Sequence, residues 1–416
     1  MLTDFTQHGT IRYDQRSEND VDCQFLMHRH FAFLGIHPNL SLAELQAICP
    51  FATCSTIDRV AILESASWDG RVLMETLGGT IKLGDILGST EEIETLPQTV
   101  ADLVRTRLHA SRSIDFGWTA ISANPQRTRE LSRLAIPFKK EIKQRGIPSR
   151  WVTGPNASEL SPAAVAKLRL TTEGLDVVLI DTGRTLEIGI TTHVQDADAW
   201  SLRDYGRPER DEKAGMLPPK LARMMVNLAR VHEGDILLDP FCGTGTVLME
   251  AGLVTHAKEF IGADISPNQI GRVQVNCLWL AHKKILTDAI CNATRGIVSD
   301  VRELKNHLHE NHVDVIVTEG YLGPPLRGSE TSADLQKNAD QITQIWKDTF
   351  ATFASILKPH GRIVAIWPEF RTRLGTAKVE LSRDIERLGF RITEKPLAYA
   401  REDQKVVRWI IQLEKM

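Results

Sequence analysis

Short apolar runs alternate with amphipathic stretches through the second half of this 416-residue chain. Runs at 236–238, 260–263, 296–298, 313–317 and 362–367 predict five buried strands, each followed by residues whose apolar positions recur at helical spacing. This alternation predicts a parallel sheet covered by helices on both faces. Two further runs, 390–398 and 406–413, flank a polar turn and predict an antiparallel hairpin. The second half is therefore expected to be an α/β, Rossmann-like domain whose seven-stranded sheet ends in that hairpin.

The first half of the chain mixes predicted strands and helices in a less regular order. Extended runs are predicted at 32–36, 59–64, 72–77, 114–122, 176–181 and 185–191, and helices from Ser41 to Ile48 and from Arg129 to Gln144. The polar segment 196–218 follows this mixture. We predict four regions: an N-terminal α+β domain at 1–87, a second α+β domain at 88–195, a linker at 196–218 and the α/β domain at 219–416.

Composition is that of an ordinary globular protein. Hydrophobic residues make up 42% and charged residues 25% of the chain, which excludes a disordered chain and a membrane bundle. No apolar run approaches the roughly 18 residues of a membrane span, and the first residues lack the layout of a signal peptide, so a cytoplasmic location is expected. The six cysteines include no Cys-x-x-Cys pair, so no metal site is expected.

Charge is unevenly distributed along the chain although the net formal charge is only −3. Residues 101–150 contain eleven Lys or Arg against four Asp or Glu, whereas residues 41–100 contain three against nine. The basic segment is a candidate phosphate-binding face, and a solvated helix surface is an equally good interpretation of the same pattern. The candidate residues are Arg127, Arg129, Arg133, Lys139, Lys140 and Lys143.

The strongest chemical signal is the segment Asp239-Pro-Phe-Cys-Gly-Thr-Gly-Thr246, between a predicted strand and the predicted helix 247–252. Glycines permit positive φ angles and a close approach of the backbone to a ligand at the carboxyl edge of an open α/β sheet. A dinucleotide-binding loop would have a third glycine where Leu248 stands, which argues against a pyrophosphate ligand. An acidic residue followed by Gly-x-Gly suits a ligand with a sulfonium and an ammonium group. The predicted cofactor is therefore S-adenosylmethionine.

Two further aspartates end the next predicted strands. Asp264 can accept hydrogen bonds from both ribose hydroxyls, and Asp300 can accept one from the adenine amino group, with Ile265 and Val301 as apolar walls. Each aspartate alone is equally well interpreted as a helix cap or turn residue. Three acids at three successive strand ends favour cofactor binding. The predicted cofactor-binding residues are Asp239, Phe241, Gly243, Thr244, Gly245, Asp264, Ile265, Asp300 and Val301.

A target site is predicted after the fourth strand, where the sequence reads Thr318-Glu-Gly-Tyr-Leu-Gly-Pro-Pro325. Enzymes that methylate amines bind a planar base at this position, usually with Asp or Asn, two prolines and then Tyr or Phe. Tyr321 can stack on an extruded base, and Glu319 can accept a hydrogen bond from the attacking amine. The predicted catalytic residues are Glu319, Tyr321 and Thr318, and alignment of the reactants is expected to supply most of the acceleration.

The chain resembles the tRNA guanosine-10 N2-methyltransferases in five stretches, namely 34–45, 77–85, 204–211, 215–220 and 239–246. The resemblance implies a carboxyl-terminal methyltransferase domain and an amino-terminal RNA-binding part with a THUMP-like domain at 88–195. It also implies tRNA as the partner and guanine N2 as the target. Tyr321 matches the tyrosine of the family's Asp-Pro-Pro-Tyr motif, and this match puts Thr318 where the catalytic Asp stands.

The altered motif leaves two alternatives open. A DNA amino methyltransferase has a similar cofactor loop and would transfer methyl groups to duplex DNA without using residues 100–195. A protein that binds cofactor and RNA with weakened or lost turnover is the second alternative, suggested by Thr318 and Gly320. The sequence predicts no membrane partner and is compatible with an accessory subunit.

Overall fold

The computed structural model describes residues 27–108, 113–154, 159–210, 216–381, 384–401 and 404–416. The chain divides into two compact units. Unit 1 comprises the residues up to Pro38 together with Cys49–Ala197, and unit 2 comprises Asn39–Ile48 together with Asp198–Met416. Residues 211–215 of the predicted linker and Glu402 and Asp403 of the predicted hairpin turn lie outside the described residues.

The chain begins with β1 (His28–Leu34) in unit 1 and α1 (Pro38–Ile48), which belongs to unit 2 apart from its first residue. The other elements of unit 1 are β2 (Thr53–Ile57), β3 (Val60–Ser65), α2 (Gly70–Thr76), β4 (Thr80–Thr90), α3 (Leu96–Leu103), β5 (Ile114–Ser122), α4 (Pro125–Arg133), α5 (Ala135–Gln144), β6 (Ser149–Trp151), α6 (Pro162–Lys167), β7 (Leu175–Asp181) and β8 (Leu186–Val194). A 3-10 helix spans Arg105–Arg107.

Unit 1 is built on an eight-stranded sheet in the order β2-β3-β1-β4-β8-β7-β5-β6. Neighbouring strands are antiparallel, except that β5 runs parallel to both β7 and β6. Because β4 pairs with β1 on one side and with β8 on the other, the predicted domain boundary at residue 87 falls inside a central strand. The strands of the two predicted domains therefore share one sheet, and their described residues belong to one unit except for residues 39–48.

Two segments in the first half differ from their predicted structure. The helix predicted from Ser41 begins at Pro38, in line with the preference of proline for the first helical turn. Residues 72–77, predicted as extended, belong to α2 except for the last. The Asp69 side chain caps α2 by accepting hydrogen bonds from two backbone N–H groups of its first turn. This cap satisfies donors that no helical carbonyl can reach, and it outweighs the strand-like composition of the segment.

The basic helix predicted over 129–144 is two helices, α4 and α5, that meet at Leu134. Pro137 accounts for the break, because a proline ring clashes with the carbonyl group four residues earlier and offers no N–H to it. Leu131 and Phe138 of these helices pack against Phe116 and Trp118 of β5. The charged side chains of α4 and α5 are therefore left on the outer surface of unit 1.

The remaining elements of unit 2 begin with α7 (Ala197–Tyr205), which starts at the unit boundary. They continue with α8 (Pro219–Leu228), β9 (Ile236–Asp239), α9 (Thr246–Val254), β10 (Glu259–Asp264), α10 (Pro267–His282), α11 (Asp288–Asn292), β11 (Thr294–Val298), β12 (Val313–Glu319), α12 (Ser332–Ile356), β13 (Leu357–Thr372), β14 (Gly375–Lys378), β15 (Phe390–Ile392), β16 (Leu397–Tyr399) and β17 (Val406–Lys415). A 3-10 helix spans Val301–Asn306.

The sheet of unit 2 runs in the order β11-β10-β9-β12-β13-β17-β15. The first five strands are parallel, and β17 is antiparallel to both β13 and β15. The short strands β14 and β16 add to the seven on this path by pairing with β13 and β17. The predicted α/β fold with a terminal antiparallel hairpin is confirmed, with the first hairpin arm split into β15 and β16.

Apolar side chains pack on both faces of the unit 2 sheet. Trp346, Phe350 and Phe353 of α12 belong to one core cluster. Residues of α1, α8 and α9 form the other, in which Asn227 donates a 2.6 Å hydrogen bond to Glu44 of α1. The sheet is thus covered on both faces, as near-continuous apolar strands require.

The polar segment predicted as a linker at 196–218 contains α7 and belongs almost wholly to unit 2. Trp200 and Arg207 of this segment are buried. Trp200 lies against two guanidinium groups, at 4.1 Å from that of Arg203 and 5.3 Å from that of Arg223. The described part of this segment is therefore packed structure, because Trp200 is buried and the Arg203 guanidinium lies on its ring instead of in solvent.

No helix in the described part of the chain combines the length and the apolar character needed to cross a membrane. The described residues also contain no group of three or more His, Cys, Asp or Glu side chains arranged to hold a metal ion.

Candidate active site

A cavity of about 1070 Å³ lies in unit 2 at the carboxyl ends of the parallel strands. Its lining includes most of the predicted cofactor-binding residues, namely Asp239, Phe241, Gly243, Thr244, Asp264, Ile265, Asp300 and Val301. Glu319 and Tyr321 line it as well, whereas Gly245 and Thr318 are not part of its lining. The predicted cofactor site and the predicted target site therefore meet in one cavity.

The glycine loop takes its shape from two left-handed residues, Gly243 (φ 50°) and Gly245 (φ 87°). A side chain at Gly243 would meet no neighbour within 4 Å, so the bare backbone at this position faces open space beside the cavity. Leu248, found where a dinucleotide fold has its third glycine, packs against Gly262 of β10. The close packing of α9 against β10 therefore uses a glycine on the strand instead of one on the helix. This arrangement differs from that of a loop that binds a pyrophosphate.

Asp239 ends β9 and is almost completely buried. Its Oδ1 accepts a 2.7 Å hydrogen bond from the Thr318 hydroxyl and a 3.2 Å bond from the Phe241 N–H. Burial raises the pKa of the Asp239 carboxyl to about 7, and the two hydrogen bonds oppose that rise. A cationic ligand group in the cavity would stabilise the carboxylate form.

Asp264 ends β10 and connects the glycine loop to α10. Its Oδ2 accepts a 3.1 Å hydrogen bond from the Gly243 N–H, and its Oδ1 accepts a 2.9 Å bond from the Ser266 N–H. A carboxylate has about four acceptor positions, so two remain for a ligand with vicinal hydroxyl groups such as a ribose.

Asp300 follows β11 and is held by Arg302. The Arg302 guanidinium donates to both carboxylate oxygens, at 2.9 and 2.6 Å, and the Arg302 backbone N–H donates at 2.9 Å. The hydrogen bond from the Arg302 side chain lowers the pKa of Asp300. Ile265 is exposed at the cavity, whereas Val301 is buried beside it. These apolar and acidic groups suit the two faces and the amino edge of an adenine ring.

The predicted catalytic residues fall into two classes. Thr318 is buried and does not line the cavity, and its hydroxyl donates to Asp239, which does line it. Glu319, the last residue of β12, lines the cavity and accepts a 2.6 Å hydrogen bond from Arg408 of β17. Burial raises the pKa of Glu319, and the Arg408 guanidinium opposes that rise. Tyr321 lies in the loop after β12 with 53% of its surface exposed, which leaves its ring accessible to a ligand.

Two side chains that sequence reasoning missed hold the glycine loop in place. Asn276 of α10 is buried and donates 3.0 Å hydrogen bonds to the carbonyl groups of Thr244 and Glu209. Arg207, also buried, donates a 2.7 Å bond to the Thr246 hydroxyl at the start of α9. The sequence signal for Asn276 is its amide side chain on the otherwise apolar face of α10. Arg207 has no local signal, since it stands in a segment rich in charges.

The candidate phosphate-binding residues lie on α4 and α5 of unit 1. Arg129, Arg133, Lys139, Lys140 and Lys143 are exposed, and no ion pair with another described residue involves them. Arg127 differs, since its guanidinium lies 3.6 Å from Glu130 and 3.6 Å from Asp181. Five of the six candidates therefore present charge to solvent.

Comparison with known proteins supports a methyltransferase assignment. The family model UPF0020, described as RMKL-like, methyltransferase domain, matches residues 207–377. A Methanocaldococcus jannaschii protein named tRNA (guanine(10)-N2)-dimethyltransferase is 33% identical over 228 residues, which cover 54% of this chain and 55% of that protein. A Methanothermococcus thermolithotrophicus protein named "Probable tRNA (guanine(10)-N2)-dimethyltransferase" is 32% identical over 139 residues, which cover 33% of this chain and 81% of that one. The match thus spans about half of the first relative's length.

Among solved structures, TrmN from Thermus thermophilus is similar to 94% of this chain and to all of its own, with a TM-score of 0.53 and 17% identity. At that identity the likeness concerns the fold. Strand order, glycine loop and strand-terminal acids together define an S-adenosylmethionine-dependent methyltransferase domain of the Rossmann-like class. With its relatives considered, the chain belongs to the tRNA guanine N2-methyltransferase family, and the resemblance seen in the sequence is confirmed.

Proposed function

We propose that this protein methylates the exocyclic N2 amine of a guanine in tRNA. The observation that carries the proposal is the single cavity in which Asp239, Asp264 and Asp300 lie with Glu319 and Tyr321. The names of the relatives, which specify guanine 10 of tRNA, support the choice of substrate. S-adenosylmethionine, when bound, supplies an electrophilic methyl group on a positively charged sulfur.

Each acid of the cofactor side has a distinct task. Asp239 attracts the cationic end of the ligand, Asp264 accepts hydrogen bonds from the ribose, and Asp300 accepts one from the adenine amino group. Thr318 acts through Asp239 by holding that carboxyl in a fixed orientation. Phe241 and Thr244 complete the wall of the cavity around the glycine loop.

On the target side, Tyr321 stacks on the extruded guanine and Glu319 accepts a hydrogen bond from its N2 amine. This bond aligns the nitrogen lone pair with the methyl group, and alignment is the main source of rate in such a transfer. The amine loses a proton when it gains the methyl group. Burial raises the pKa of Glu319, which makes its carboxylate a better acceptor for that proton than an exposed glutamate.

Unit 1 is proposed to bind the tRNA body, with a THUMP-like region within residues 88–195. The exposed basic side chains of α4 and α5 support this role, because phosphate contacts dominate the affinity of nucleic-acid binding. Action in the cytoplasm stays a prediction, and the proposal is compatible with an accessory subunit.

Transfer of a labelled methyl group to unmodified tRNA, with duplex DNA as the alternative acceptor, tests the proposal. We expect label in tRNA and none in DNA. Tyr321→Ala should slow the transfer by roughly 5- to 150-fold, since base stacking contributes about 1–3 kcal/mol, while Tyr321→Phe keeps the ring and most of the rate. Label in DNA, or label in neither acceptor, would contradict the assignment. So would a Tyr321→Ala variant that methylates tRNA at the wild-type rate.

A further inference from the structure

Glu319 and Arg408 form an ion pair across the sheet, inside the candidate active site. The Nε of Arg408 donates to Oε1 of Glu319 at 2.6 Å, and the two side chains are only 13% and 12% exposed. Their strands, β17 and β12, are not neighbours, because β13 lies between them. Both residues nevertheless line the same cavity. The pair is therefore built at the target end of the site from two separate parts of the chain.

The pair keeps unused hydrogen-bonding capacity. Within the part of the chain that the structure describes, Arg408 bonds through Nε alone, and Glu319 bonds through Oε1 alone. The two Nη groups of Arg408 and Oε2 of Glu319 are thus available to a ligand in the cavity. Because both side chains are largely buried and face the cavity, a base that enters it displaces the water that reaches these groups and must satisfy them itself.

We propose that the Glu319–Arg408 pair selects guanine as the base to be methylated, an inference that rests on the proposed function. Along its Watson–Crick edge, guanine presents the N2 amine and the N1–H as donors and O6 as an acceptor. Glu319 accepts from the two donors, and an Nη group of Arg408 donates to O6. Adenine reverses this order, since its N1 is an acceptor and its exocyclic amine stands where guanine has O6.

Discrimination follows because a mismatched base leaves these sheltered groups unpaired. A site built to hydrogen-bond a ligand rejects an analogue that lacks the partner atoms far more strongly than an apolar pocket does. Arg408 would contribute in two ways, by orienting Glu319 and by contacting O6. The two contributions can be separated by removing O6 from the base and, independently, the guanidinium from the protein.

The experiment uses the full chain and two unmodified tRNA transcripts, one with guanine and one with 2-aminopurine at position 10. 2-Aminopurine keeps the amine to be methylated and lacks both O6 and N1–H. We expect the wild-type protein to prefer guanine in kcat/KM by a factor on the order of 10 or more. In Arg408→Met both rates should fall through the loss of orientation at Glu319. The guanine rate should fall further, so that the guanine preference drops at least severalfold.

Arg391→Met provides the matched control. Arg391 pairs with Glu414 at 2.9 Å in the same terminal hairpin, is 59% exposed and does not line the cavity. This variant should keep the wild-type preference. Unchanged affinity for adenosylhomocysteine by calorimetry verifies that Arg408→Met is folded. Should it not fold, Arg408→Lys is used, because a single ammonium cannot bond Glu319 and O6 with the geometry of the guanidinium fork.

Equal loss of both rates, with the guanine preference intact, would overturn the inference and leave Arg408 as a residue that only orients Glu319. A wild-type enzyme that methylates both transcripts equally well would overturn it too. If the wild-type protein failed to methylate the guanine transcript at all, the proposed function itself would be contradicted.

Discussion

The raised pKa of the buried Asp239 carboxyl predicts that cofactor binding depends on pH. Its pKa of about 7 lies above the ordinary value of 3.8 because burial disfavours the charged form. In the ligand-free protein below pH 7, this carboxyl is mostly protonated. A cationic ligand group that requires the carboxylate must therefore displace a proton, and its affinity must rise with pH through the pKa.

We predict that the affinity for adenosylhomocysteine, whose ammonium group is positive, rises by up to about tenfold per pH unit on the acidic side of pH 7 and levels off above it. Calorimetric titrations at several pH values measure this slope. Asp239→Asn should bind more weakly and lose most of the slope, since an amide does not titrate in this range. An equal slope in Asp239→Asn would assign the pH dependence to another group.

At the level of elements, the loop after β12 is shaped by α12. Gly320 is buried, and a Cβ atom built on it would lie 2.7 Å from the Trp346 ring of α12. Trp346 is itself almost fully buried and packs against Phe350. The departure from Asp-Pro-Pro-Tyr at this glycine therefore has a packing cause, because the tryptophan occupies the space that a larger residue would need.

Gly320→Ala should lower the free energy of unfolding by about 1–3 kcal/mol, the usual cost of overpacking a core. Trp346→Phe makes room, so the double variant should be more stable than the sum of the single effects predicts. Urea unfolding of the four proteins measures this coupling. Gly271→Ala in α10 is the control, because a Cβ atom there meets nothing within 4 Å and alanine favours a helix. Strict additivity would refute the steric explanation.

The basic faces of α4 and α5 give a second prediction at this scale. Replacing Lys139, Lys140 and Lys143 by Glu should weaken tRNA binding and reduce its salt dependence, by about one unit of slope for each phosphate that is no longer neutralised. Lys167→Glu on α6 is the control for a charge change elsewhere on unit 1. Filter binding at several salt concentrations provides both slopes. Parallel slopes for the triple variant and the wild type would identify these lysines as solvated surface residues.

Some of these elements and site residues could be predicted from the sequence, and others could not. The glycine loop is a local pattern, and the acids at the strand ends could be predicted from sequence because three of them follow successive strands, although each alone also fits a helix cap or turn. Pro137 is a local sequence signal for the break at Leu134, where a single continuous helix is predicted. The Glu319–Arg408 pair could not be predicted, because its members are 89 positions apart and meet across an intervening strand.

The whole molecule has two units of different character. Unit 2 contains the cavity and the family match, and unit 1 has its own eight-stranded sheet with exposed cations on two helices. Under the proposed function, this organisation separates recognition of the tRNA body from chemistry on one base. It follows that removal of charge from unit 1 should change RNA affinity, whereas changes in the cavity should change the rate of transfer or cofactor affinity.

The identity of the methylated nucleoside tests the central claim most directly. An unmodified tRNA transcript is incubated with the protein and S-adenosylmethionine, digested, and analysed by mass spectrometry. The account predicts N2-methylated guanosine, located at position 10 and absent when that guanine is replaced by adenine. A methyl group on another base or on another atom of guanine would contradict it, as would a transcript that stays unmodified while the protein binds adenosylhomocysteine.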